Sequence, residues 1–483
     1  MRRVLWGVWA AGALAAATWA MGQSASADLA GLWQGKLVVP GGSLRLVFHI
    51  DRNAEGRYSG AVDSVDQGAN GLPLKTITLA AGKVRLEMAA PVALFEGTLS
   101  ADGKRMEGTF EQNGAKLPLT LERTTEADVA KAAALRRPQE PKKPYPYREE
   151  EVAFPNRAAG VRLAGTLTLP RGRGPFPAVF LITGSGAQNR NEELMGHRPF
   201  LVLADDLTRR GIAVLRADDR GVGGSTGRVS DATTADLCGD ALAAVAYLKS
   251  RREVDPKRIG LIGHSEGGVI APMAAVKSRD VAFIVLLAGT GLPGQEIVES
   301  QSRAMALAAG VPQQTADAAV ATNHRLFEIL RSEPDPVKAE AKLREALAAA
   351  YDQLPDAQKK AAGDRETTVR AGMASLMSPW FRYFLTYDPR PALRSVKCPV
   401  LAINGSKDLQ VLPKLNLPEI EKALKAGGNR DYTVKELPGL NHLFQTAKTG
   451  LPAEYRQIEE TMSPTALAVV GDWIVRHTRT AGH

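Results

Sequence analysis

The sequence predicts an α/β protein with a largely parallel sheet, helices on both faces and a helical cap insertion, preceded by a small antiparallel β-barrel or sandwich. Three observations predict it. Residues 28–124 alternate strand-like runs with turn signals and lack helical periodicity. Residues 147–483 switch to a repeating strand, helix, strand pattern. The hexapeptide Gly263-His264-Ser265-Glu266-Gly267-Gly268 stands between an apolar strand and a helix.

The chain opens on Met1-Arg2-Arg3, continues through an apolar run over residues 4–21 and offers Ala25-Ser26-Ala27 ahead of Asp28. A basic start, an apolar stretch and small residues at an A-x-A site define a signal peptide, residues 1–27. The alternative is an uncleaved anchor, since about 20 apolar residues span a bilayer, but an anchor needs no cleavage site. The expectation is therefore a protein that starts at Asp28, is periplasmic or extracellular, and has no stable membrane span after cleavage. Residues 28–124 carry about eight short strands, enough to close a small sheet and remove its edges. Residues 125–146 read as a short helix over 126–137 followed by a linker with Pro138, Pro141, Pro144 and Pro146, a composition that favours stiff extended chain.

Beyond the linker, strands are expected over residues 161–169, 177–183, 212–216, 259–262, 281–287, 400–404 and 432–436, with helices over 200–210, 233–251 and 266–277. Residues 291–388 show no strand pattern. Their Ala-, Glu- and Gln-rich text reads as successive helices inserted above the carboxyl edge of the sheet, where open α/β sheets bind ligands.

Composition narrows the function classes. At 44% hydrophobic and 23% charged the chain is ordinary globular protein. Lys and Arg total 61 against 52 Asp and Glu, but the excess is dispersed without a basic, aromatic-laced stripe, so nucleic acid is not an expected partner. Cys238 and Cys398 are the only cysteines, which argues against a disulfide framework and against a zinc site. Nothing in the sequence fixes the oligomeric state.

The chemistry concentrates in a few residues. A sharp turn from strand to helix requires glycine at 263 and 267, forces Ser265 into a strained backbone conformation and sets its hydroxyl by a helix N-terminus. Ser265 is the candidate nucleophile. A serine hydroxyl needs a base, and His442, in Leu437-Pro438-Gly439-Leu440-Asn441-His442 after the last strand, is the histidine expected to return to the carboxyl edge of the sheet. His264 is expected to point away from its neighbour, and His324 falls in the insertion. Asp408, beyond the strand 400–404, completes the chain order Ser, Asp, His, with Asp388 as its competitor. An oxyanion needs two backbone N–H donors, assigned to Glu266 and to Ser185 in Thr183-Gly184-Ser185-Gly186. The glycine-rich run 218–225 lacks the Lys-Ser/Thr ending of a phosphate loop and reads as a structural loop beside the nucleophile turn.

Together, Ile182-Thr183-Gly184-Ser185-Gly186, Asp219-Arg220-Gly221-Val222-Gly223, the Ser265 hexapeptide, Asn404-Gly405-Ser406-Lys407-Asp408 and Asn441-His442 resemble bacterial α/β-hydrolases. More narrowly, they resemble exported esterases related to dienelactone hydrolases and acyl-peptidases, over residues 147–483. Thr183 stands where lipase-like members often carry His. The resemblance implies the α/β-hydrolase fold, no cofactor, and hydrolysis of a small-molecule acyl ester through an acyl-enzyme. A peptidase or thioesterase would use the same triad, and a noncatalytic envelope-binding protein is the reading outside enzymes. Specificity is expected in the insertion, whose Trp380, Phe381, Tyr383 and Phe384 are able to line an apolar pocket or to pack against the main domain.

Overall fold

The computed structural model describes residues 28–479 except 40–41, 66–68, 90–91, 113–114, 134–135, 355, 357–358 and 360–361. The expected leader, residues 1–27, lies outside the described residues. The chain divides into two compact units, 1–134 and 135–483.

In the first unit, β1 (Gly31–Val39), β2 (Gly42–Arg52), β3 (Tyr58–Ser64), β4 (Ala69–Ala80), β5 (Lys83–Ala89), β6 (Val92–Leu99), β7 (Arg105–Gln112) and β8 (Ala115–Thr124) each run antiparallel to the next. Strand β8 returns to β1, Gln34 opposite Glu122, and closes a barrel rather than a sandwich. Alternate residues point inward, so Trp33, Phe48, Phe95, Met106 and Leu121 fill the interior. Helix α1 (Glu126–Ala133) follows, and residues 136–137, expected at its end, are not helical.

The second unit holds eight strands: β9 (Arg148–Asn156), β10 (Val161–Leu169), β11 (Phe176–Ile182), β12 (Ala213–Ala217), β13 (Val254–His264), β14 (Phe283–Leu287), β15 (Val400–Gly405) and β16 (Tyr432–Leu437). Their order across the sheet is β16-β15-β14-β13-β11-β12-β10-β9. Strands β11 to β16 run parallel to one another, whereas β10 is antiparallel to both β12 and β9, so the sheet is mixed at one edge. Strand β9 was not predicted. Its Glu149-Glu150-Glu151 resembles a solvated loop, yet Phe154 is buried and Val152 packs against the core, a pattern an edge strand allows.

Both faces are covered because the inner strands are apolar at successive positions, which point to opposite faces. In β11, Ala178, Phe180 and Ile182 join α3 (Thr234–Ser250) and α4 (Gly267–Lys277) on one side, while Val179 and Leu181 join α2 (Pro199–Arg209) on the other. After β14 the insertion forms α5 (Gly294–Ala308), α6 (Gln313–Ser332), α7 (Pro336–Asp352), α8 (Arg365–Leu376) and α9 (Pro379–Thr386). It has its own small core around Phe327, Leu343, Val369 and Met373. Helices α10 (Arg390–Ser395), α11 (Pro413–Ala426), α12 (Pro452–Tyr455) and α13 (Pro464–Thr478) complete the chain. Among the described residues no helix is long and apolar enough to cross a membrane.

The Pro-rich segment is held along the rest of the second unit by side chains. The Arg137 guanidinium donates to the carbonyls of Met195, Gly196, Arg456 and Ile458, and the Gln139 amide binds Thr461 and Met462. Side-chain hydrogen bonds do here what a proline-rich backbone, short of N–H groups, cannot.

Candidate active site

The strand order reverses direction at β11. The chain passes outward from β11 to β12, then α3 carries it back to β13 on the other side of β11. The loops leaving β11 and β13 therefore diverge at a crevice, where an open α/β sheet binds its ligand.

Ser265 stands at the end of β13 with φ of 52°, a left-handed conformation costly for a side chain bearing Cβ. The turn is held by Ser265 N–H donating to the Leu287 carbonyl at 2.8 Å and Gly268 N–H donating to the Ser265 carbonyl at 2.9 Å. A methyl group at 263 would lie 1.9 Å from the Gly267 carbonyl oxygen, and one at 267 would lie 2.2 Å from that of Ile182. Glycine is thus required at both positions, as the sequence predicts.

His442 and Asp408 are brought together. His442 Nδ1 lies 2.7 Å from Asp408 Oδ2, and both side chains are buried. The other carboxylate oxygen of Asp408 accepts the N–H groups of Gln410 at 2.7 Å and Val411 at 2.9 Å, so its orientation is fixed. The carbonyl of His442 accepts from His264 Nε2 at 3.0 Å, and the two rings sit 4.8 Å apart, which brings the His442 loop to the residue preceding Ser265. Asp388 is instead paired with Arg390 at 2.8 Å. Exposed His324 is engaged by Glu299, and His197 is buried against Thr461 and the Tyr455 carbonyl. Burial pushes the His197 pKa down to about 4, against the hydrogen bond to Tyr455, so this ring is neutral near neutral pH.

The loop after β11 lies against Ser265, since a methyl at Gly184 would be 3.3 Å from Ser265 Cβ. Gly184 N–H is already committed to Glu192 Oε1 at 2.7 Å. Among the described residues, neither the Ser185 nor the Glu266 N–H donates to a protein group. Glu266 caps α4, and its side chain is buried, with Oε1 accepting from Thr234 Oγ1 at 2.7 Å and from the Trp380 indole at 2.8 Å. Burial outweighs these hydrogen bonds and holds its pKa above the ordinary carboxylic value, favouring the neutral acid.

Of the aromatic residues on α9, Phe381 packs on Phe327 inside the insertion and Tyr383 stacks on Tyr387. Trp380, stacked on Phe384 at 5.3 Å, reaches the nucleophile turn through Glu266.

Two residues of the site escape sequence reasoning, Glu192 and His264 as a bridging group, and for Asp219, read within a structural loop beside the nucleophile turn, the structure supplies the partners. Asp219 receives the Thr183 hydroxyl at 2.9 Å and Gln188 N–H at 2.9 Å, bracing both ends of the loop after β11. Burial, with Glu192 and Glu266 nearby and only partly offset by those hydrogen bonds, pushes its pKa to about 7. Between about pH 4 and about 7 the folded state holds a proton that the unfolded chain releases. The group therefore adds stability that is fully present below about pH 4 and lost as pH rises to about 7. Asp219→Asn removes this titration, since the amide oxygen accepts from Gln188 while its NH₂ donates to the rotatable Thr183 hydroxyl. Urea denaturation across this range should show a decline in stability smaller in the variant by on the order of 3 kcal/mol; parallel curves would refute the assignment.

With the fold and these residues in view, the chain belongs to the Hydrolase_4 family, described as serine aminopeptidase, S33, whose profile matches residues 198–446. Esterase EstD of Thermotoga maritima is 29% identical over 319 residues, which cover 65% of this chain and 66%, just under two thirds, of EstD. Among solved structures, a Pyrococcus furiosus esterase aligns at 17% identity and a TM-score of 0.43, covering 71% of this chain and 97% of that one. Est1E of Butyrivibrio proteoclasticus aligns at 18% identity and a TM-score of 0.38, covering 68% and 98%.

Proposed function

We propose that the protein is an exported serine hydrolase, a carboxylesterase that cleaves small or medium acyl esters through an acyl-enzyme on Ser265. The observation that carries this reading is the strained Ser265 turn converging with the buried His442–Asp408 pair through the contact of His264 with the His442 carbonyl. Ser265 Oγ attacks the acyl carbon while His442 Nε2 takes its proton. The bond to the alcohol oxygen breaks, and His442 returns the proton to that oxygen. Water then repeats the sequence on the acyl-enzyme, with Asp408 holding the imidazolium. The free N–H groups of Glu266 and Ser185 are the donors for the oxyanion. The likeness to EstD supports an ester substrate. A peptidase reading is supported by the family description and uses the same atoms, His442 protonating an amine instead of an alkoxide.

A fluorophosphonate probe with peptide mass mapping should label Ser265. A panel of acyl esters, thioesters and aminoacyl anilides should give the highest kcat/KM on short acyl esters; preference for aminoacyl anilides would replace esterase by aminopeptidase. Export carries its own check, because intact mass of envelope material should begin at Asp28.

Trp380 ties the insertion to the nucleophile turn, so Trp380→Phe, which keeps the ring and removes the indole donor, should shift the kcat/KM ratio between short and long acyl esters by roughly tenfold. An unchanged ratio would place specificity elsewhere.

A further inference from the structure

Given His442 as base and Ser185 N–H as oxyanion donor, as proposed above, the geometry points to Glu192 and His264 as a buried charge pair that positions both. His264 Nδ1 lies 2.9 Å from Glu192 Oε1, and its Nε2 lies 3.0 Å from the His442 carbonyl oxygen. A backbone carbonyl only accepts, so Nε2 carries hydrogen. Glu192 Oε1 already accepts the Gly184 N–H at 2.7 Å, so Nδ1 also donates to it. With both nitrogens donating, the ring is an imidazolium and Glu192 its carboxylate counterion.

This pair joins three loops. Through Gly184 it holds the loop after β11 and occupies that N–H, leaving the next one, Ser185, to meet an oxyanion. Through the His442 carbonyl it fixes the backbone beneath the base. Through the chain itself it is bonded to Ser265. The titratable groups around it are Asp408 and the ring of His442 on the His264 side, and Asp219 on the Glu192 side. Burial alone would lower the His264 pKa, but the Glu192 carboxylate, its hydrogen bond and the His442 carbonyl raise it above the ordinary imidazole value. Glu192 is itself buried and sits at φ of 50°, a strained conformation for a glutamate. Neither residue is needed as an acid or base; each acts through the group it holds.

The test uses the full chain with ¹⁵N-labelled histidine, the His264 signals being assigned by their loss in His264→Gln. At about pH 7 both His264 nitrogens should be protonated, and in Glu192→Gln, where one amide oxygen cannot compensate the cation, one should lose its proton. In the same variant kcat should fall by about 10- to 100-fold while KM changes by less than about threefold, the pattern of a misplaced base rather than lost substrate binding. Fluorophosphonate labelling of Ser265 should slow in parallel. A singly protonated His264 in the unsubstituted chain overturns the proposal, even if Glu192→Gln does not fold. An unchanged kcat and labelling rate in folded Glu192→Gln overturns it as well. Normal labelling without ester turnover in the unsubstituted chain would sink the esterase reading alone, and the labelling rate of Glu192→Gln would still decide the role of the pair.

Discussion

Asp408→Asn should lower kcat by about 10⁴-fold with little change in KM, and the reason lies in the hydrogen bonds on the far side of the carboxylate. Gln410 and Val411 both present N–H groups to Oδ1, so an asparagine must keep its oxygen there and turn its NH₂ toward His442 Nδ1. That NH₂ donates, which requires Nδ1 to accept and drives the proton onto Nε2, the atom that must take the proton from Ser265. Ser265→Ala and His442→Ala should each cost roughly 10⁴- to 10⁶-fold in kcat, and the double variant should lose little more, because members of a triad act as one unit. Steady-state kinetics on the preferred ester measures all four. Near-normal turnover in Asp408→Asn would end its assignment as the acid, and additive losses in the double variant would end the pairing of Ser265 with His442.

The part of the site that was legible in sequence is the part defined by local geometry. Glycines at 263 and 267 announce a turn that only they fit, and the order of Ser265, Asp408 and His442 along the chain places the last two beyond parallel strands. What was not legible depends on partners far away in sequence. Glu192 and Glu193 are adjacent acidic residues in one polar loop, and only the return of His264 and Gly184 to the first of them separates a buried ion from an exposed one. Asp219 was read as part of a structural glycine-rich loop because its contacts, Thr183 and Gln188, lie more than thirty residues earlier. Barrel and sandwich share the same alternation; the pairing of β1 with β8, across the whole first unit, is what decides between them. The Pro-rich segment was legible only in part, for a related reason. Composition describes the stiffness of its backbone, whereas Arg137 and Gln139 anchor it by side chains to residues more than three hundred positions away.

Gly263→Ala should abolish activity by distorting the turn, leaving every reacting atom chemically intact. The added methyl would meet the carbonyl oxygen of Gly267 at 1.9 Å and its carbon at 2.1 Å, and both are backbone atoms that no rotamer change can move. Relief requires the turn to open, which shifts Ser265 and the Glu266 N–H together. Gly267→Ala presses instead on the carbonyls of Ile182 and Thr183, at 2.2 and 2.8 Å, and so pushes α4 away from the strand that carries the other oxyanion donor. A displacement of about 1 Å at such a site costs about 10²-fold, so kcat/KM should fall by at least that in each variant. Overpacking should also remove about 1–3 kcal/mol of stability, measured by urea denaturation. Gly172→Ala serves as the control. Its φ of 104° is unfavourable for alanine, a backbone strain that positions 263 and 267 do not carry, but a methyl there meets nothing within 4 Å, so it should lose about 1–2 kcal/mol and keep its kcat. If Gly263→Ala proves folded and as active as this control, the turn tolerates expansion and the close approach of its backbone is not what holds Ser265 in place.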